Sequence, residues 1–183
     1  MLRHLPNALT VLRFILIPVL VALLLRDRFE TAFAVFAVSA LSDLADGVVA
    51  RRWNLRTRFG AIADPLADKL TMLSVALALA AQSLIPLWLV LAIVARDALI
   101  VGGAVAYHYV VGRYDMAPSR LSKLNTAVQF AALSAVLADG AGVIELSVWL
   151  PGLFALLLAT IVASGAQYVW VWGRRALLAR RTS

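Results

Sequence analysis

Cysteine is absent from this chain, and histidine nearly so, with only His4 and His108. The first absence excludes disulfides, thiolate nucleophiles and thiolate metal ligands. The second argues against a histidine-based metal site and leaves oxygen ligands for a hard cation. Charge is scarce as well: 15% of the 183 residues are charged, ten Asp and Glu against seventeen Lys and Arg. The net charge of +7 invites a nucleic-acid reading, but no soluble module is large enough to carry one, so no nucleic-acid partner is expected. The basic residues gather instead at the ends of apolar runs, where inside-positive loops and anionic lipid headgroups account for them. No internal repeat or low-complexity tract divides the chain, so a single domain over residues 1–183 is expected.

What is abundant is apolar: 63% of residues are hydrophobic, and mean hydropathy is +0.90. A soluble domain is usually about half apolar. The expected fold class is therefore an all-α membrane protein with six transmembrane helices. Six apolar segments lie near the ~20 residues needed to span: Leu9 to Leu25, Thr31 to Ala50, Ala61 to Ala81, Pro86 to Val110, Leu121 to Ala138 and Ser147 to Trp172. Short connections make neighbouring helices antiparallel. Pro6-Asn7 reads as a break that sets off a short N-terminal interfacial segment. The first apolar run continues to Leu25 and ends in Arg26-Asp27-Arg28, unlike a cleaved signal peptide, so it is read as a retained helix. Arg51, Arg52, Arg56, Arg58, Arg113, Arg120, Lys123 and the arginines from Arg174 onward fall on one side. The positive-inside rule makes that side cytoplasmic, together with both termini. The compact length and the lack of a transit-like segment point to a bacterial inner membrane.

Four aspartates sit inside this apolar sequence: Asp43, Asp46, Asp64 and Asp68. A carboxylate at membrane depth costs roughly 2.5–3.5 kcal/mol even on lenient insertion scales. Four of them need water, cationic partners or bound metal. On a helix, Asp43, Asp46, Gly47 and Ala50 have offsets 0, 3, 4 and 7 and share a face; Gly60, Asp64 and Asp68, at 0, 4 and 8, share another. Two such faces on antiparallel neighbours can converge at the cytoplasmic end as a four-carboxylate site for a pair of Mg²⁺, Mn²⁺ or Ca²⁺ ions. Gly47 and Gly60 would give a ligand access to the backbone, though small residues also serve plain helix packing. Arg51 is placed to pair a phosphate. Arg13 either snorkels to the interface or serves the site. Metals, small residues and an arginine in one cleft suggest phosphoryl chemistry. A cation transporter is the reading from another class, but it leaves the glycines and Arg51 without a role and lacks the internal repeat of such proteins.

The pattern Asp43-x2-Asp46-Gly47-x2-Ala50-Arg51-x8-Gly60-x3-Asp64-x3-Asp68 resembles the full signature of the CDP-alcohol phosphotransferases, with all eight positions present. The resemblance implies that Asp43, Asp46, Asp64 and Asp68 bind a divalent metal, Mg²⁺ or Mn²⁺ and two ions. Asp68 would also be the general base. Gly47, Ala50, Arg51 and Gly60 would line the CDP pocket. A hydroxyl would attack the lipid-bearing phosphate of a CDP-linked lipid and release CMP. Homodimers are common in the family.

The opening Pro6-Asn7-x2-Thr10-x2-Arg13 is similar to that of the phosphatidylglycerophosphate synthases and of the eukaryotic-type cardiolipin synthases, and it adds Asn7 and Thr10 to the expected substrate contacts. Ser122-Lys123-Leu124-Asn125-Thr126-Ala127-Val128-Gln129 resembles the cardiolipin synthases more closely; the other group usually has Gly-Lys-x-Lys-Thr. That group also tends to carry Glu after the arginine of the fourth helix, where this chain has Arg96-Asp97. Glycerol 3-phosphate is a small dianion that wants several cations, whereas phosphatidylglycerol carries one negative charge and enters from the bilayer. Fewer lysines suit the second. The expected donor is CDP-diacylglycerol and the expected acceptor phosphatidylglycerol, with glycerol 3-phosphate as the alternative. Ser122, Lys123 and Asn125 would form the acceptor site with Arg113 and Arg120, although loop charge alone also explains those two arginines. Arg96 and Asp97, about ten residues into their helix, would either contact the acceptor or face the bundle structurally.

Overall fold

The computed structural model describes the backbone of residues 5–52, 58–111 and 119–182, and the side chains of residues 11–42, 63–105 and 119–174. Within them the chain is all-helical, with α1 Leu5–Leu24, α2 Phe29–Arg52, α3 Arg58–Ala81, α4 Leu87–Val111, α5 Arg120–Gly140 and α6 Leu150–Thr182. Each expected apolar segment has its helix. The break expected at Pro6-Asn7 does not occur: α1 begins at Leu5 and runs through both residues. Proline fits a first helical turn because the amide hydrogen it lacks would be unpaired there anyway. No separate interfacial segment precedes the first helix among the described residues.

Three helices contain stretches long and apolar enough to cross a membrane among the described residues: Leu87–Val105, Arg120–Gly140 and Leu150–Arg174. Among the described side chains of α1 and α2 the apolar stretches are Val11–Leu24 and Phe29–Ser42. Charged residues stand on all three of the first helices: Arg13 early in α1, Asp43 and Asp46 late in α2, and Asp64, Asp68 and Lys69 in α3.

The chain forms two compact units, Met1–Leu87 with Leu133–Val148, and Trp88–Ala132 with Trp149–Ser183. In the first, α1 packs on α2 and α3. Leu20, Leu24, Ala32, Phe36, Ala67, Val75 and Leu79 are buried there, as are Leu133, Val136 and Leu137 from α5. Three helices of this unit end in the same way. Asp27, Ser83 and Gly142 each take a positive φ of 55°, 61° and 67°. Each is flanked by the paired hydrogen bonds of a Schellman motif: Arg28 N to Leu23 O with Asp27 N to Leu24 O, Leu84 N to Leu79 O with Ser83 N to Ala80 O, and Val143 N to Ala138 O with Gly142 N to Asp139 O. Gln82 Nε2 donates to the Leu24 carbonyl and ties the ends of α1 and α3 together.

In the second unit Leu89, Val90, Ile93, Leu157 and Ile161 are buried beside an unusual share of polar side chains: Arg96, Asn125, Gln129, Thr160 and Ser164. Trp172 lies over Gly103, where a Cβ would stand 1.6 Å from its ring. The Trp172 ring also meets Tyr168, with centroids 5.2 Å apart and planes at 58°.

Candidate functional site

The helical backbone of α2 and α3 carries the whole aspartate signature. Asp43, Asp46, Gly47, Ala50 and Arg51 are on α2 and Gly60 on α3, but their side chains lie outside the described residues, as do those of Asn7 and Thr10 on α1. Asp64 and Asp68 are described. They stand one turn apart on one face of α3. Between them is Pro65, which removes one backbone donor and frees the Ala61 carbonyl from its usual helical partner. Freed backbone groups at membrane depth are tolerated where side chains or water can satisfy them.

Arg13 does not snorkel. Its side chain is 7% exposed, and Nη1 donates to Asp68 Oδ1 at 2.8 Å, across 55 residues of sequence. The Asp68 side chain is itself 46% exposed. A charge-assisted bond of this length holds a carboxylate in one orientation. The buried cation also offsets the negative charge of Asp68. Ala63 and Ala67 are both buried on α3, which packs against α1.

The donor chemistry suits a hard divalent cation: carboxylate oxygens, no thiol and no imidazole. Among the described residues no three acidic or histidine side chains come together; the other two carboxylates of the quartet lie outside that set.

The acceptor residues expected on α5 divide by exposure. Arg120 and Lys123 are exposed and Ser122 is half-buried. Asn125 is 2% exposed. The Thr160 hydroxyl, 2.8 Å from the Leu157 carbonyl, lies 3.0 Å from Asn125 Oδ1. Arg113 lies outside the described residues. The start of α5 is capped by Ser119, whose Oγ accepts from Ser122 N at 3.1 Å, and Ser119 N donates to the Tyr168 hydroxyl at 3.3 Å.

Arg96 is the hub of this region. It is 6% exposed. Nη2 donates to Ser122 Oγ at 2.6 Å on α5 and to Ser164 Oγ at 2.8 Å on α6. Nη1 donates to Asp97 Oδ1 at 2.7 Å. The structural reading of Arg96, facing into its own bundle, is the one the geometry bears out. The α6 partners were missed from sequence, although Thr160, Ser164 and Tyr168 recur every fourth residue in an apolar helix, a spacing that marks one polar face.

The model of the CDP-alcohol phosphatidyltransferase family matches residues 3–172. The chain belongs to this family. CDP-alcohol phosphatidyltransferases are generally divalent-metal dependent. Their membership and the apolar helices make the protein an integral membrane protein. It is similar to a probable cardiolipin synthase (CMP-forming) of Drosophila melanogaster, 33% identical over 70% of this chain and 45% of that protein. It is similar to a cardiolipin synthase (CMP-forming) of Homo sapiens, 32% identical over 94% of this chain and 62% of that protein. It is also similar to a CDP-diacylglycerol–glycerol-3-phosphate 3-phosphatidyltransferase of Rickettsia typhi, 32% identical over 80% of this chain and 84% of that protein. The chain thus spans less than two thirds of the two animal relatives' length.

Proposed function

We propose that this phosphatidyltransferase is a CMP-forming cardiolipin synthase that moves a phosphatidyl group from CDP-diacylglycerol to phosphatidylglycerol. The observation that carries the chemistry is the Asp64–Asp68 face of α3 with Asp68 held by a buried arginine. Asp43, Asp46, Asp64 and Asp68 would hold two divalent ions, Mg²⁺ or Mn²⁺. Bound there, the ions would neutralise the pyrophosphate as its bond breaks. Gly47, Ala50, Arg51 and Gly60 would receive the CDP group. Asp68 takes the proton from the acceptor hydroxyl as its oxygen attacks the lipid-bearing phosphorus, and the phosphate–phosphate bond breaks to release CMP. The 2.8 Å bond to Arg13 restricts the carboxylate so that orientation is paid before the reaction begins. Asn7 and Thr10 would add donor contacts. Arg120 and Lys123, exposed at the start of α5, would hold the acceptor's phosphodiester with Arg113. Ser122 and Asn125 belong to the same segment.

The same reading makes residues 1–183 one catalytic domain with six spans, acting as a homodimer. Both termini and the site would face the cytoplasm, across a bacterial inner membrane. Spacing along α6 supports membrane depth: Trp149, which immediately precedes the helix, and Trp170 within it are 74% and 72% exposed and about 31 Å apart at helical rise. That is the thickness of a hydrocarbon core flanked by interfacial tryptophans.

A second reading, transfer to glycerol 3-phosphate, is favoured by the Rickettsia typhi relative, whose identity equals that of the human one. An acceptor swap tests both. The purified protein in detergent, given Mn²⁺ or Mg²⁺ and CDP-diacylglycerol, should release CMP with phosphatidylglycerol and yield a four-chain lipid. Release with glycerol 3-phosphate alone would establish the second reading. Release with neither would remove both.

A further inference from the structure

A buried arginine in an apolar helix is costly unless its geometry is used. Arg96 is 6% exposed and too enclosed to grip a lipid headgroup. Its terminal nitrogens are already engaged: both hydrogens of Nη2 go to hydroxyls on two other helices, Ser122 at 2.6 Å and Ser164 at 2.8 Å, and Nη1 serves Asp97. A planar fork with two bonds from one nitrogen leaves little rotational freedom. It therefore fixes the first turn of α5 against α4 and α6.

Two further bonds act on that same turn. Ser119 Oγ caps Ser122 N, and Tyr168 accepts from Ser119 N. Lys123 follows Ser122 directly and is exposed, as is Arg120. A lysine is a point charge on four rotatable bonds, so where its ammonium can reach depends on where its backbone is held.

We propose that Arg96 is a positioning residue for acceptor recognition: through Ser122 it holds the first turn of α5, and so sets where Lys123 meets the phosphodiester of the acceptor lipid. The inference rests on the proposed role of Lys123 at the acceptor. It assigns Ser122 a different task from direct substrate contact, and it gives Arg96 a task in specificity although it touches no substrate.

The test compares Ser122→Ala, Ser122→Thr and Arg96→Lys in detergent, with CMP release measured against phosphatidylglycerol and against CDP-diacylglycerol separately. Because Ser122 acts on the acceptor only through the turn it holds, losing its bond should raise KM for phosphatidylglycerol by about three- to tenfold in Ser122→Ala, the range of an ordinary hydrogen bond. KM for CDP-diacylglycerol and kcat should stay at their native values. Ser122→Thr keeps the hydroxyl and should restore the native KM. Arg96→Lys keeps the charge but loses the fork, and should resemble Ser122→Ala; if it does not fold, a spin label at position 123 carries the comparison, because a direct contact of Ser122 with the acceptor would give the same KM pattern in the serine pair but would not move the label. A readout independent of turnover uses the absence of native cysteine: a spin label on Lys123→Cys should be ordered in the parent and more mobile when Ser122→Ala is added. An unchanged KM, a loss shared equally by kcat and the donor KM, or an unchanged label spectrum would each overturn the proposal. If the native protein releases no CMP with either acceptor, the proposed function fails, and the label spectrum alone decides whether Arg96 positions α5.

Discussion

Gly103→Ala should destabilise the protein out of proportion to one methyl group, and its neighbour supplies the control. A Cβ at Gly103 would lie 1.6, 2.2 and 2.6 Å from three ring atoms of Trp172. Carbon atoms in contact prefer about 3.5–4.0 Å, so the ring would have to move by about 2 Å. Overpacking of this kind costs about 1–3 kcal/mol. The shift would also disturb the ring contact with Tyr168 at 5.2 Å, worth about 0.5–1.5 kcal/mol. Against this, replacing glycine by alanine within a helix gains about 0.5–1 kcal/mol. The net is a loss of about 2 kcal/mol, or roughly 4–8 °C in Tm for a chain of this size. Gly102 has nothing within 4 Å of the same added atom, so Gly102→Ala should be neutral or slightly stabilising. Thermal unfolding of both variants in one detergent makes the comparison. In a Trp172→Ala background the Gly103→Ala penalty should vanish, as a direct contact requires. Because Tyr168 also accepts from Ser119 at the start of α5, Gly103→Ala should raise the acceptor KM as well. Equal stability of the two alanine variants would refute the packing described for α4 and α6.

Asp68→Asn should remove a general base and lower CMP release by about 10²–10⁴-fold; calorimetry should still find CDP-diacylglycerol bound, and a rate near native would take the proton-accepting role from Asp68. Mn²⁺ or Mg²⁺ at a hundred times its Kd should stabilise by about 2.7 kcal/mol through linkage, read as a rise in Tm at neutral pH; no shift would count against the carboxylates as metal ligands. Ser83→Gly should stabilise by about 1 kcal/mol, since a non-glycine residue at positive φ bears a cost of about 1–2 kcal/mol. Gly142→Ala, at the equivalent position of α5, should lose a similar amount in the same unfolding assay.

The helices were legible because long uninterrupted apolar runs favour helices, and each apolar run has its helix. Their ends were less so. Helix α6 continues ten residues past Trp172 to Thr182, because arginine, leucine and alanine sustain a helix after hydrophobicity has ended. The Pro6-Asn7 break failed for the opposite reason: proline ends a helix in its interior and suits its first turn. The Asp64–Asp68 face was legible, since a spacing of four places both carboxylates on one side of any α-helix. The bond from Arg13 to Asp68 was not, because a contact across 55 residues depends on how α1 packs against α3. The Arg96 hub was hidden further still. It needs three helices in register, and only the four-residue spacing of Thr160, Ser164 and Tyr168 marks it in the sequence.

Position 125 shows why acceptor choice does not reduce to counting lysines. The phosphatidylglycerophosphate synthases that this chain resembles usually carry lysine where it has Asn125, which makes Asn125→Lys the obvious route to glycerol 3-phosphate. The structure argues otherwise. Asn125 is 2% exposed and pairs with Thr160 at 3.0 Å, while the exposed cations of this turn are Arg120 and Lys123. A lysine introduced there starts from a buried Cβ and brings an ammonium to the side of the helix that faces Thr160. An unpaired buried charge costs several kcal/mol, so the side chain must either distort the first turns of α5 to reach water or stay buried at that cost. Asn125→Lys alone should therefore lower Tm and gain no CMP release with glycerol 3-phosphate. A native Tm together with new glycerol 3-phosphate turnover would mean that position 125 faces the acceptor, and that the polar interior of α4, α5 and α6 has been drawn the wrong way round.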